Sequence, residues 1–258
     1  MARKRYQAKS PPPYLKRVTL LPERRRTGYP FDLPWLQDDF ELSFDTPLTV
    51  IVGENGTGKS TLIEALAALA GYDEAGGGKG YRLVDHQEAM DRSGAALADA
   101  LRAGWLPKVT DGWFFKAESL FGVAREMDRL ARTYGGVAPD WLSHSHGEGF
   151  LRVFEERMAR QGFYLMDEPE SALSPKRQLA LLRLLDRLNR EQIAQVVMAT
   201  HSPILMAVPG AAVLQLTKGG FERVDFRETT HYRLWQDFTV DPLGFVEEAL
   251  ADHDESHF

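Results

Sequence analysis

Residues 48–61, Leu-Thr-Val-Ile-Val-Gly-Glu-Asn-Gly-Thr-Gly-Lys-Ser-Thr, decide how this chain is read. Gly53, Gly58, Lys59 and Ser60 fit the spacing G-x-x-x-x-G-K-[ST]. The apolar run Leu48–Val52 leads in, and a helix-like run from Thr61 to Ala70 leads out. In that strand–loop–helix setting the pattern has a mechanism. Glycines let the backbone turn its N–H groups inward onto phosphate oxygens, and the helix start adds a partial positive charge. Lys59 is placed to reach terminal phosphates and the Ser60 hydroxyl to hold magnesium. The candidate nucleotide-binding residues are therefore Gly53, Glu54, Asn55, Gly56, Thr57, Gly58, Lys59, Ser60 and Thr61. The competing reading, a glycine-rich turn, does not account for the flanking strand and helix.

The rest of the composition bounds this reading. With 258 residues, 43% of them hydrophobic, the chain has enough apolar material for one α/β domain. A net charge of −6 argues against a general nucleic-acid-binding surface. The absence of cysteine excludes disulfides, thiolate zinc sites and cysteine nucleophiles and is consistent with a cytoplasmic protein. No apolar run approaches the ~20 residues needed to cross a bilayer. The basic start, Arg3-Lys4-Arg5, has no apolar stretch behind it and does not read as a secretory signal.

Residues 1–13 read as a basic tail, and residues 14–258 as a single domain. Strands are expected at Tyr14–Leu21, Phe40–Phe44, Leu48–Val52, Trp113–Phe115, Phe163–Met166 and Ala194–Ala199. A hairpin is expected around Lys218-Gly219-Gly220. Residues 82–160 read as a mostly helical lobe, with helices at Gly94–Ala103, Glu118–Tyr134 and Gly149–Arg160. Ser174-Pro175 starts a helix with serine as N-cap and a packed face of Leu179, Leu181, Leu182, Leu184 and Leu185. Two further helices are expected near 230–238 and 242–251.

Three more segments carry chemistry. Phe163-Tyr164-Leu165-Met166 ends in Asp167-Glu168-Pro169, so a buried strand delivers Asp167 to its C-terminal end, where open parallel sheets bind ligands. Asp167 is a candidate magnesium ligand, and Glu168 a candidate general base toward water. His201, in Ala199-Thr200-His201-Ser202-Pro203, also follows a buried strand and is placed to contact a γ-phosphate or orient a water. Ser145-His146-Gly147-Glu148 precedes a predicted helix, a second helix start of the kind that binds anions.

In this order the segments resemble the ATP-binding-cassette (ABC) ATPases. Asp167-Glu168-Pro169-Glu170-Ser171-Ala172-Leu173-Ser174 looks like that superfamily's Walker B motif running into its D-loop. Ser145-His146-Gly147-Glu148 is similar to its signature, with His146 at a position normally glycine. The fold so implied is a P-loop NTPase of ABC type: a mainly parallel sheet flanked by helices, with a small helical subdomain between phosphate loop and signature. Glu118 stands where the family's Q-loop glutamine is expected, with Gln87 as rival. Tyr14 is a candidate adenine platform. The chain most resembles stand-alone ATPases near the RecF, SMC and Rad50 branch. Ser60 and Ser145 lie about 85 residues apart, which leaves no room for a long coiled-coil arm.

The resemblance implies ATP and magnesium as cofactors and a homodimer with shared ATP sites, Ser145, Gly147 and Glu148 meeting the partner's nucleotide. It further implies a catalytic pair, Glu168 and His201. The leading expectation is a cytoplasmic ATPase whose dimerisation acts on DNA or on a protein partner in repair or defence. The alternatives are the energy subunit of a membrane transporter and an ATP-sensing scaffold with little turnover. Arg24, Arg25 and Arg26 are the local positive charge on which a DNA contact would rest.

Overall fold

In a computed structural model, the described residues are 10–79, 93–109, 111–119, 122–123, 129, 133 and 146–255. Nine strands are described: β1 (Leu15–Leu20), β2 (Glu41–Ser43), β3 (Leu48–Val52), β4 (Leu101–Trp105), β5 (Gly112–Lys116), β6 (Gly162–Asp167), β7 (Ala194–Ala199), β8 (Ala212–Thr217) and β9 (Gly220–Val224). The described helices are α1 (Lys59–Ala70), α2 (Ser93–Asp99), α3 (His146–Met158), α4 (Pro175–Glu191), α5 (Pro203–Met206), α6 (Thr230–Val240) and α7 (Pro242–Glu255).

Six strands form the main sheet in the order β5-β6-β7-β3-β8-β9, parallel except for the β8–β9 hairpin. The central strands β3, β6 and β7 are buried at every residue, as unbroken apolar runs between two helical layers must be. Alternation divides their side chains between two cores. Ile51, Phe163, Leu165 and Val197 join α1 and the smaller sheet. Val50, Val52, Tyr164, Met166, Val196 and Met198 join α3, α4 and α5.

The register sets up the site. Lys116 pairs with Asp167, Asp167 with Ala199, and Ala199 with Ile51, so one row crosses four strands near their C-terminal ends. The segments after that row are the phosphate loop, Glu168-Pro169, Thr200-His201 and Ala117-Glu118. Four stretches far apart in sequence thus emerge side by side on one edge.

The smaller sheet, β2-β1-β4, is antiparallel, and here the structure departs from the sequence reading. Of the expected helix Gly94–Ala103 only residues 94–99 are helical. The chain then turns into β4, which pairs with β1 from Leu20↔Leu101 to Leu15↔Trp105. The otherwise open edge of β1 supplies the backbone partners that outweigh helix propensity. Trp105 then packs edge-on against Phe163 at 5.2 Å. The described part of the expected helical lobe therefore contains a strand of each sheet, while most of Glu118–Tyr134 lies outside the described residues. Helix α3 begins at His146, one turn earlier than read. On α4, Leu188 replaces the exposed Leu179 on the core face. Ser174 occupies the N-cap position but makes no side-chain capping bond.

Gln195 ties the two sheets together. Its Oε1 accepts the N–H groups of Tyr14 and Leu15, both at 2.7 Å, and its Nε2 donates to Leu15 O at 2.9 Å, with no exposure to solvent. Gln195→Leu keeps the volume and leaves buried backbone groups without partners. It is expected to cost about 3 kcal/mol of stability, read from the urea unfolding midpoint. A loss below about 0.5 kcal/mol would show that other partners satisfy β1.

Candidate nucleotide site

The phosphate loop is a preformed turn. Gly56 and Gly58 take φ values of 75° and 90°, the left-handed region that favours glycine. At Gly58 a side chain would also collide with Leu33, whose Cδ2 lies 2.9 Å from the Cβ position. Thr57 Oγ1 donates to Glu54 O at 2.8 Å, and Trp35 Nε1 donates to Thr57 O at 2.7 Å. Trp35 in turn packs on Phe40 and Phe221. The proline- and aromatic-rich segment before β2 is thus a brace for the loop. Glu54, Asn55 and Gly56 form the exposed crest.

Lys59 opens α1 and is 5% exposed; its ammonium donates to the loop's own Gly53 O at 2.7 Å and Glu54 O at 2.8 Å. Burial lowers its pKa from the ordinary lysine value, against the pull of Glu168, Asp167, Glu54 and Glu170. Ser60 Oγ donates to Asp167 Oδ1 at 3.1 Å, so the sheet brings together two residues that the sequence reading assigned to magnesium. Thr61 is buried and hydrogen-bonded to the hydroxyl of the exposed Tyr29.

Burial pushes the Asp167 carboxyl up to about 7, opposed by Lys116 and the Ser60 hydrogen bond and assisted by Glu168 and Glu64. Lys116 pairs with the buried Glu64 at 2.8 Å and approaches Glu118 at 3.7 Å. Burial alone would lower its pKa; the Glu64 bond and the surrounding carboxylates outweigh that and raise it. A cleft of about 330 Å³ opens here, lined by Ser60, Lys116, Ala117, Glu118, Asp167, Glu168 and Ser171. Glu118 therefore stands on the cleft wall, while Gln87 lies outside the described residues. A buried, uncomfortable carboxylate beside a hydroxyl, open to a cleft, is a fitting oxygen-donor pair for magnesium, which typically takes one or two protein ligands and completes its shell with phosphate oxygens and water.

Glu168 sits at φ 47°, ψ 52°, a left-handed conformation rare for a residue with a side chain. Such strain is held where surroundings over-determine it. Here Glu168 N donates to Ala199 O, and Ser171 donates to Glu168 O through both N and Oγ. The side chain is half-exposed, and its Oε1 lies 3.6 Å from His201 Nε2. His201 is anchored through its backbone N–H to Glu170 Oε1 at 2.5 Å, and its Nδ1 lies 2.8 Å from His231 Nε2.

The structure thus brings the phosphate loop, Asp167, Glu168 and His201 together. Ser145 lies outside the described residues. The backbone of Gly147 and Glu148 lies in the first turn of α3. Tyr14 is not available to a nucleotide: it is fully buried, with its hydroxyl on Ile193 O. Tyr29, beside Thr61, is the exposed aromatic at the loop. The arginine triplet is engaged internally, Arg25 with Asp38, Arg26 with Asp99 and Arg24 with Asp99 O. The sequence motifs contain neither Glu64 nor His231 and give Glu170 no role of its own, because each acts through a contact between elements distant in sequence. Lys116 was passed over although it immediately precedes Ala117-Glu118.

Asp167 holds its proton to about pH 7 in the folded chain, whereas its ordinary value is 3.8. Between these values the folded state binds more protons, so its contribution to stability falls as pH rises through that window. Asp167→Asn is expected to remove this dependence. Without nucleotide or magnesium, the variant should melt at least ~2 °C above the parent at pH 8, and the two should converge at pH 4. Equal melting temperatures at pH 8 would show that Lys116 already neutralises the carboxylate.

Residues 31–94 match an AAA domain family, and residues 141–207 match a second family described as "AAA domain, putative AbiEii toxin, Type IV TA system". The hemin import ATP-binding protein HmuV of Burkholderia thailandensis is 29% identical over 206 residues, 67% of this chain and 75% of HmuV. The iron(3+)-hydroxamate import ATP-binding protein FhuC of Bacillus subtilis is 26% identical over 168 residues, 60% of this chain and 62% of FhuC. The solved ATP-binding cassette of an ABC transporter aligns over 88% of this chain and 97% of its own, at 13% identity and a TM-score of 0.47. The SMC head domain from Thermotoga maritima aligns over 82% and 98%, at 15% identity and a TM-score of 0.44. The phosphate loop, the Asp167-Glu168 strand end and His201 share one sheet edge, and the relatives matched in sequence are ATP-binding proteins: this chain is similar to the P-loop ATPases of the ABC class.

Proposed function

We propose that the chain is a magnesium-dependent ATPase that pairs with a second copy of itself around ATP and uses the closed and open forms to control a partner. The observation that supports this reading is the row Lys116–Asp167–Ala199–Ile51, after which the phosphate loop and three further segments leave the sheet at one edge. In this reading the backbone of Gly53–Gly58 and the start of α1 receive the phosphates. Lys59 exchanges its bonds to Gly53 O and Glu54 O for phosphate oxygens, so an internal cap becomes a charge-assisted contact. Ser60 and Asp167 hold magnesium, which when bound offsets charge on the phosphates. Glu168, half-exposed on its strained turn, accepts the proton of the attacking water. His201 faces Glu168 from the neighbouring strand end and contacts the γ-phosphate.

The second half of each site comes, in this proposal, from Ser145, Gly147 and Glu148 of the other copy. Support is the resemblance in motif order together with α3, which begins at His146 and so gives the segment a helix start. The process served is proposed to be defence or repair through a protein or nucleic-acid partner. The description of the family matched by residues 141–207, a type IV toxin–antitoxin system, points toward defence. The internally paired arginines weaken the argument for DNA.

A second reading, the ATP-binding subunit of an importer, is favoured by the names of HmuV and FhuC. Among the described residues no helix is long and apolar enough to cross a membrane. Recovery of the chain in washed membranes, lost when candidate membrane partners are absent, would favour it over the first.

Glu168→Gln keeps the side-chain shape and loses the proton acceptor. It is expected to bind ATP and to hydrolyse it ~10²–10⁴-fold more slowly in a phosphate-release assay. Turnover within about threefold of the parent, set against that range, would remove Glu168 from the role of base. Oligomeric state tests the shared site. The Glu168→Gln chain should shift from monomer to dimer on adding magnesium and ATP, and the same chain carrying Ser145→Arg should not. A double variant that dimerises normally would take Ser145 out of the interface.

A further inference from the structure

His201 has a neighbour that none of the nucleotide-binding motifs contains. His231, in the first turn of α6 and 30 residues further along the chain, places its Nε2 2.8 Å from His201 Nδ1, with the ring centroids 4.8 Å apart. The approach is fixed from both sides. Thr229 is fully buried at the N-cap of α6, where its Oγ1 accepts Tyr232 N–H at 3.2 Å and donates to Phe226 O at 2.6 Å. On the other side, Glu170 holds the backbone N–H of His201. His201 Nε2 remains: it is buried, makes no hydrogen bond, and lies 3.6 Å from Glu168 Oε1.

We infer that His231 is a positioning residue for ATP hydrolysis: its Nε2–H donates to His201 Nδ1 and so holds the His201 proton on Nε2, facing Glu168 and the incoming γ-phosphate. The inference rests on the proposed role of His201. Two neutral imidazoles at this separation share one proton between the facing nitrogens. If His201 Nδ1 carries it, the Nε2 lone pair points at the Glu168 carboxylate and at the site of the γ-phosphate, both anionic, and the contact is repulsive. If His231 Nε2 carries it, His201 presents N–H to both and the contact is attractive. Neutral rings are the relevant pair, because burial lowers both pKa values from the ordinary imidazole value. The Lys59 ammonium adds to this, against Glu54 for both rings and also Glu168 for His201. A base or donor whose tautomer is fixed by a hydrogen bond to its other ring nitrogen is a recurring catalytic device.

The direct test is the ring-nitrogen chemical shifts of His201 in the ¹⁵N-labelled parent protein at pH 8. A protonated Nε2 and a bare Nδ1 are expected; the reverse overturns the proposal without any variant. The kinetic test uses His231→Leu, His231→Gln and His201→Ala, each checked for an unchanged melting temperature. His231→Leu should lower kcat about tenfold or more, as loss of an orienting partner does, with the affinity for a non-hydrolysable ATP analogue within about threefold of the parent. His231→Gln puts an amide N–H near the position of Nε2 and should recover most of the rate. In the His201→Ala background, His231→Leu should cost nothing further. The proposal is overturned if His231→Leu turns over like the parent while His201→Ala is slow, or if His231→Gln is as slow as His231→Leu. A His201→Ala chain as fast as the parent would instead overturn the role of His201, and the proposal with it.

Discussion

A buried carboxylate organises this molecule. Asp167 ends the strand next to β7, is 6% exposed, and donates nothing when ionised. Placing such a group inside a sheet is costly unless positive charge or hydrogen-bond donors meet it. The chain supplies only part of that compensation, through the Ser60 hydroxyl and the Lys116 ammonium, and Lys116 is itself shared with Glu64. The carboxyl consequently stays near pH 7 in its titration. In the proposed function a magnesium ion held by Ser60 and Asp167 would complete what the fold leaves unbalanced, so that stability given up at this place would be restored by the ligand.

Around this group the architecture is a set of braces. The aromatic trio Trp35, Phe40 and Phe221 supports the phosphate loop from the side, through the Trp35 bond to Thr57 O. Phe221 belongs to the β8–β9 hairpin, so the far end of the main sheet reaches back to the loop. Gln195 performs the corresponding task between sheets, satisfying the start of β1 from within β7. The left-handed turn at Glu168 is likewise held by bonds to Ala199 and Ser171. Each brace places a backbone segment to within hydrogen-bond tolerance, which phosphate chemistry requires.

The histidine pair extends this logic to the C-terminal helices. Helix α6 buries none of its residues fully, yet its first turn reaches His201. Thr229 is the anchor that makes this possible, because its buried side chain caps α6 and ties it to Phe226. The sheet edge that carries the phosphate loop is therefore in contact with an element that lies outside the nucleotide-binding motifs read in the sequence.

The sequence by itself determined the phosphate loop, the strand ends at Asp167 and Ala199, and the α/β character with a mainly parallel sheet flanked by helices. These are local signals: glycine spacing, unbroken apolar runs, and acidic or histidine residues placed directly after them. Such features survive any tertiary arrangement because backbone conformation and burial pattern encode them within a few residues. Tertiary structure decided the rest. Residues 101–103 follow on from a helical pattern but become β4 because β1 offered an edge. Tyr14 reads as a free aromatic but lies in the core under Gln195. The arginine triplet reads as a positive patch but is engaged by Asp38 and Asp99. Glu64, Glu170 and His231 acquire meaning only through partners 52, 31 and 30 residues away. Such pairings depend on which strand lies beside which, and strand order follows from burying both faces of one sheet at once, a constraint that no single segment contains.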